Sequence, residues 1–182
     1  QTDALTYYRK VLAAEPRNGR ALASAGALEF ALGDFEEARR LLERAVRVRG
    51  TAGVAASAVT GALLAKSERI LELMPSRRLP SQVRVARILA ARTLAKKRFD
   101  ACSAEITSMG ESSSALQGLS SGWAGKDSGA SANALRMNED VQDATVKLIF
   151  ETEVETSAVC GAPSGDDALL LLMAKSPTAL EE

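Results

Sequence analysis

The stretch FALGDFEEARRLLERAV, Phe30 to Val46, decides how the rest of the chain is read. Gly33 and Asp34 separate an Ala-rich run from a charged amphipathic one. Glycine accepts the positive φ that a tight turn demands, and an aspartate carboxylate can cap the first amides of the helix that follows. Phe35 then stands where a large ring can wedge between two helices, and Ala38, three places on, is small enough to let their backbones approach. On the upstream side, GRALASAGALEFAL from Gly19 to Leu32 contains no proline and reads as the first helix of a pair. The stretch therefore predicts a helix-turn-helix unit.

Comparing positions thirty-four apart extends the pattern, since ALTYYRKVLAAEP from Ala4 to Pro16 aligns with ARRLLERAVRVRG from Ala38 to Gly50. Ala4 matches Ala38, Tyr8 matches Leu42 and Leu12 matches Val46. In both segments apolar residues recur at i, i+4, i+7 and i+8, one face of an amphipathic helix.

On these residues the chain resembles the tetratricopeptide repeat, a helix-turn-helix unit of about 34 residues. Leu22, Ala25, Gly26 and Glu29 fall on its first-helix places, Ala38 and Leu42 on its second-helix places, and Gly50 on its closing proline place. Gly26 and Ala38 match outright and Leu42 is a conservative replacement, whereas Ala25, Glu29 and Gly50 depart. In the half unit before, Ala4, Tyr8 and Pro16 fit all three places they reach, so Ala4 to Pro16 reads as a second helix awaiting its first and leads to the expectation of at least one more helix upstream.

A further unit is read in VRVARILAARTLAKKRFDACSAEI. Ala86, Leu89, Ala90 and Thr93 take the first-helix places, Phe99 the wedge, and Cys102 and Ile106 the second-helix places. The spacing from Ala38 to Cys102 is two short units rather than two full ones, so the region around 53–82 is irregular: a helix from Val54 to Leu73, then the loop MPSRRLPS, with Ser81 expected to cap the next helix. Residues 110–137 turn rich in Ser, Gly and Ala and read as a connector, partly helical because Leu116, Leu119 and Trp123 share a helical face. EDVQDATVKLIFETEVETSAV from Glu139 to Val159 is expected as a helix, with a strand as the alternative, and a last apolar helix follows from Asp166 to Lys175. The fold class expected is all-α: a stacked helix-turn-helix array over 1–109, the connector over 110–137, and an acidic helical segment over 138–182 that caps the array.

The chemistry available narrows the function. The chain has no histidine, which removes the commonest general base and metal ligand near neutral pH. Two cysteines, Cys102 and Cys160, cannot build a four-thiolate zinc site and are too distant for a CxxC pair; they are either bridged in an oxidising compartment or buried as small apolar side chains. GWAGKDSGAS lacks the spacing of a phosphate-binding loop, the serines have no histidine to activate them, and SGDD supplies too few oxygens for a calcium loop and reads as helix capping. Glu151, Glu153 and Glu155 read as part of a solvated face. No enzyme, cofactor or metal is expected, and no run approaches the roughly 18 apolar residues of a membrane span.

The formal charge of zero conceals an opposition. Residues 1–110 hold 19 Lys and Arg against 11 Asp and Glu, a net of +8, and residues 138–182 hold 2 against 10, a net of −8. The basic run from Arg77 to Arg98 has no aromatic interleaving, so nucleic acid is not the expected partner. What the resemblance implies is a soluble bacterial scaffold, cytoplasmic or periplasmic, holding a protein or peptide with acidic flanks. Its groove would be lined by Arg20, Ala23, Ala27 and Phe30 in one unit and by Arg84, Arg87, Ala91 and Leu94 in another. The alternatives are a spacer in a longer array, an accessory domain of an enzyme complex, and self-association through the acidic segment.

Overall fold

Asn18 begins the first complete hairpin: its side-chain oxygen accepts the Ala21 N–H at 3.0 Å, and α2 (Gly19–Leu32) runs from there to Gly33. Gly33 has φ 88°, a left-handed turn that reverses the chain, and Asp34 accepts the Glu37 N–H at 2.9 Å to open α3 (Phe35–Arg47). Before them lies α1 (Thr2–Ala14). A computed structural model describes residues 2–48, 54–126 and 131–176 of the chain; Gly50, on the closing place of the repeat, lies outside them. Among the described residues all regular structure is helical, continuing with α4 (Val54–Leu73), α5 (Ser81–Ser108), α6 (Ser114–Lys126), α7 (Ala132–Met137), α8 (Glu139–Cys160) and α9 (Gly165–Ala174). The packing divides them into two compact units, the first reaching Glu72 and the second running from Leu73 to Lys175.

In the first unit α2 lies between α1 and α3. Leu5, Leu22, Ala25 and Leu41 form its buried centre, with Tyr8, Leu12, Leu28 and Leu32 packed around it. At Gly26 the Leu42 side chain of α3 packs directly on α2: a Cβ there would stand 2.7 Å from Leu42 Cγ, and Leu42 is fully buried. Phe35 is 2% exposed and meets Phe30 edge-on, with ring centroids 5.4 Å apart, so the wedge expected from the sequence is in place. Two polar ties cross the unit. Arg9 pairs with the buried Glu29 at 2.9 Å, and Arg44 donates to the Pro16 carbonyl at 2.9 Å.

The second unit overturns the reading of a second repeat hairpin. Residues 81–108 are one uninterrupted helix, about 42 Å long at 1.5 Å per residue, with no turn before Phe99. Lys96, Lys97 and Arg98 contain neither glycine nor a capping side chain, so nothing breaks the helical hydrogen bonds. Nor does the inward face follow the repeat: Val85, Ile88, Ala91, Ala95, Phe99 and Cys102 are buried, while Ala86, Ala90 and Thr93 are exposed. Ser81 is not the cap. The Pro80 carbonyl accepts from Val83 and Arg84 at 2.8 and 3.0 Å, which places Pro80 at the N-cap and Ser81 inside the first turn.

Opposite α5 runs α8, and α6, α7 and α9 also pack on α8. The expected strand alternative over 139–159 is absent, and α8 is the central helix of its unit. Trp123 on α6, 2% exposed, donates its indole N–H to Thr152 Oγ1 at 3.1 Å and stacks on Phe99 of α5, centroids 6.3 Å apart. Gly122 lets α6 approach, because a Cβ there would come within 2.9 Å of Leu148 Cδ1. The stretch read as a connector thus supplies core residues Leu116, Leu119, Trp123 and Leu135. Its packing joins it to the segments on either side, which is why the boundary between units falls after Glu72 and not at 109.

Candidate functional site

The eight groove residues do not share one fate. On α2 the core takes Ala21, Leu22, Ala25, Gly26 and Glu29. Arg20 is exposed, and Ala23, Ala27 and Phe30 are half-buried, so these four form a stripe that the first unit's own core does not consume. At its N-terminal end the α1–α2 turn makes an open hollow of about 640 Å³ between Glu15, Pro16, Arg17, Asn18 and Arg20. Asn18 also donates to Glu15 at 2.8 Å, so the turn carrying Arg17 and Arg20 is braced from within.

On α5 the expectation fails. Arg84 is 7% exposed: it donates to the Pro75 carbonyl at 3.1 Å and to Asp143 at 2.8 Å, and hydrogen-bonds Gln142. Arg87 donates to the Met74 carbonyl at 2.9 Å. Ala91 is 1% exposed and Leu94 is half-buried. The two arginines are structural, tying the loop before α5 to its first turns and, through Arg84, to α8. The reason is that the inward face of α5 runs through Arg84, Val85, Ile88, Ala91 and Ala95, so the places that the motif assigns to the groove lie on or beside the face packed inside the second unit. The second groove segment is withdrawn accordingly.

Sequence reading missed a polar cluster inside the second unit. Glu153, placed on a solvated face by the spacing of Glu151, Glu153 and Glu155, is fully buried; only Glu151 of the three is exposed. Arg98 reaches it at 3.6 Å while donating to Thr156 Oγ1 at 2.9 Å and to the Gly161 carbonyl at 2.7 Å. Burial, and then the charge of Asp167, push the Glu153 carboxyl up to about 8 against the opposing pull of Arg98. Burial likewise raises Asp167. The SGDD reading needs the same correction, since Ser164 makes no side-chain cap bond and Asp167 Oδ1 is buried without a partner. A signal was present: Glu153 follows Ile149 by four residues and precedes Thr156 by three, on the face that carries the core of α8.

Close by, the sulfurs of Cys102 and Cys160 stand 1.96 Å apart with Cα atoms at 5.8 Å, a pair 58 residues apart in sequence. Among the described residues no group of three or more acidic or cysteine side chains is arranged to hold a metal ion, and no helix is long and apolar enough to cross a membrane. A second open groove, about 570 Å³, lies between α6 and α8 over Gly118, Gly122 and Leu148, with Glu151 and Glu155 among its lining residues.

A helix hairpin turning at a left-handed glycine, closed by an aromatic wedge and by a leucine side chain seated against a glycine, is the architecture of a helical repeat. The family model for the tetratricopeptide repeat matches residues 2–59, ending inside α4. That segment is similar to tetratricopeptide repeats, which generally mediate protein–protein interaction. No curated protein matches the chain. No solved structure matches it either.

Proposed function

We propose that the chain is a non-catalytic scaffold that holds a protein or peptide through α2, with Arg20, Ala23, Ala27 and Phe30 as the contact stripe. The observation that carries this reading is the division of labour on α2. Its buried positions are other residues, and these four, with Phe30 sharing one edge with Phe35, leave a shallow, small-residue surface ended by a cation. Ala23 and Ala27 leave room for an apolar side chain or helix, Phe30 offers an aromatic edge, and Arg20 with Arg17 favours an acidic flank. The family to which residues 2–59 match supports the same reading, and the lack of histidine removes the commonest route to acid–base catalysis.

The test is capture of a partner from an extract of the natural host by the intact chain and by two variants, Arg20→Glu and Ala27→Trp, whose circular dichroism matches the parent. A partner retained by the parent and lost at least tenfold from both variants supports the α2 stripe. Equal retention by all three places binding elsewhere.

We infer also that Cys102 and Cys160 are bridged in the working protein, joining α5 to the end of α8. Supporting this are the Cα separation of 5.8 Å, within the range disulfides span, and the burial of Cys102. Intact-mass measurement with and without reductant, after alkylation, decides it: two added alkyl groups without reductant would show free thiols.

A further inference from the structure

Where α5, α8 and α9 meet, the interior holds a carboxyl group whose one nearby cation makes no hydrogen bond to it. Glu153 is fully buried, and neither of its oxygens accepts a hydrogen bond. Asp167, in the first turn of α9, also turns Oδ1 into the interior without a donor. Arg98 lies 3.6 Å from Glu153, but its Nε donates to Thr156 Oγ1 and its Nη2 to the Gly161 carbonyl. One guanidinium that already donates to other acceptors does not compensate a fully buried carboxylate together with a half-buried one. A protonated Glu153 removes the conflict, because a neutral acid costs far less to bury and leaves Arg98 to balance Asp167.

We propose that this junction is a proton-dependent latch: a proton on Glu153 keeps α9 seated on α5 and α8, and its loss releases α9 about the Gly161–Gly165 link. Both ends of that link are left-handed glycines, Gly161 at φ 85° and Gly165 at φ 59°, with Pro163 between them. Cys160, beside Cys102, marks the end of α8 as the fixed side, so α9 is the part that moves. Released, α9 uncovers Leu169, Leu170 and Met173, which are buried in the seated form.

The charges acting on the pair come from Arg98 and Lys97 on α5 and from Asp166 and Asp167 on α9. From the other two helices packed on α8, α6 directs the Trp123 indole at Thr152, and α7 directs the Leu135 carbonyl at Gln142. Burial is the larger cause of the upward shift on Glu153, to about 8 from an ordinary 4.5, and the Asp167 charge is the second. The sign follows. Between those two values the folded protein holds a proton that the unfolded chain has released, so the stabilising effect is complete below 4.5, declines as pH rises and is gone above about 8. Over that window the folding constant of the second unit falls by about tenfold per pH unit.

The experiment compares the intact chain with Glu153→Gln, a neutral side chain of the same shape. Urea unfolding is followed by Trp123 emission from about pH 5 to about pH 9, with hydrogen exchange of the α9 amides, corrected for intrinsic rates, at both ends of the range. The parent should lose stability relative to the variant at about tenfold per pH unit up to about pH 8, and its α9 protection should fall at least tenfold while that of the variant holds. Parallel stability profiles, or unchanged α9 protection in the parent, overturn the latch. If the variant does not fold, carbon-13 titration of the Glu153 carboxyl in the parent decides: a midpoint near 8 agrees, and one below about 6 overturns it.

Discussion

Gly26 shows how a single position can be both legible and quantitative. The repeat pattern singles it out, and the structure gives the reason: the Leu42 side chain, itself fully buried, occupies the space that a Cβ would need. Gly26→Ala should destabilise the first unit by about 1–2 kcal/mol, since overpacking costs about 1–3 and the better helix propensity of alanine returns up to about 1. Urea midpoints measured by circular dichroism check it; a gain in stability would mean that Leu42 yields freely. The Thr152 hydroxyl accepts the buried Trp123 indole N–H and donates to the Leu148 carbonyl at 2.7 Å. Thr152→Val leaves the indole N–H without an acceptor and should cost about 1–3 kcal/mol, read from the unfolding of the second unit by tryptophan emission. Glu153 was misread because charge alone predicts exposure; only the helices around α8 reveal that its position in the apolar repeat outweighs its charge.

At the scale of elements, the contrast is between the α2–α3 turn and the middle of α5. Gly33–Asp34 supplies a left-handed residue and a cap, and the chain turns; Lys96–Arg98 supplies neither, and the helix continues to Ser108. The aromatic and the small residue three places later, Phe99 and Cys102, are shared by both stretches, so that pair alone does not make a hairpin. Amide exchange separates the two cases. Amides from Lys96 to Phe99 should be protected as in a helix interior, whereas those of Gly33 and Asp34, though bonded to Phe30 and Glu29 carbonyls, should exchange faster than the helices they join. Asp34→Ala removes the cap of α3 and should cost about 1 kcal/mol by thermal or urea unfolding. Loss of less than a few tenths would show that Glu36 and Glu37, already in the first turn, suffice.

For the molecule as a whole, the acidic C-terminal segment is no appendage to a repeat array. It contributes α8, on which α5, α6, α7 and α9 all pack, and Asp143 meets Arg77 and Arg84 while Glu153 meets Arg98. Deleting residues 138–182 should therefore abolish the cooperative transition reported by Trp123, rather than merely expose an apolar patch; a retained transition would show that α5–α7 fold without α8. Likewise, Cys102→Ser closes the option of a bridge across 58 residues, and should cost about 2–4 kcal/mol in the second unit under oxidising conditions and little in reductant. The amino-acid pattern alone pointed to the all-helical class, the bounds of α2 and α4, and the likeness of the N-terminal segment to a helical repeat, because caps, left-handed glycines and 3.6-residue periodicity act over a few neighbouring residues. It did not settle which face of α5 is inward, that the Ser- and Gly-rich stretch is core, or that Glu153 is buried. Those depend on which helices, far apart in sequence, come together around α8, and burial and electrostatics are properties of that assembly rather than of any local run of residues.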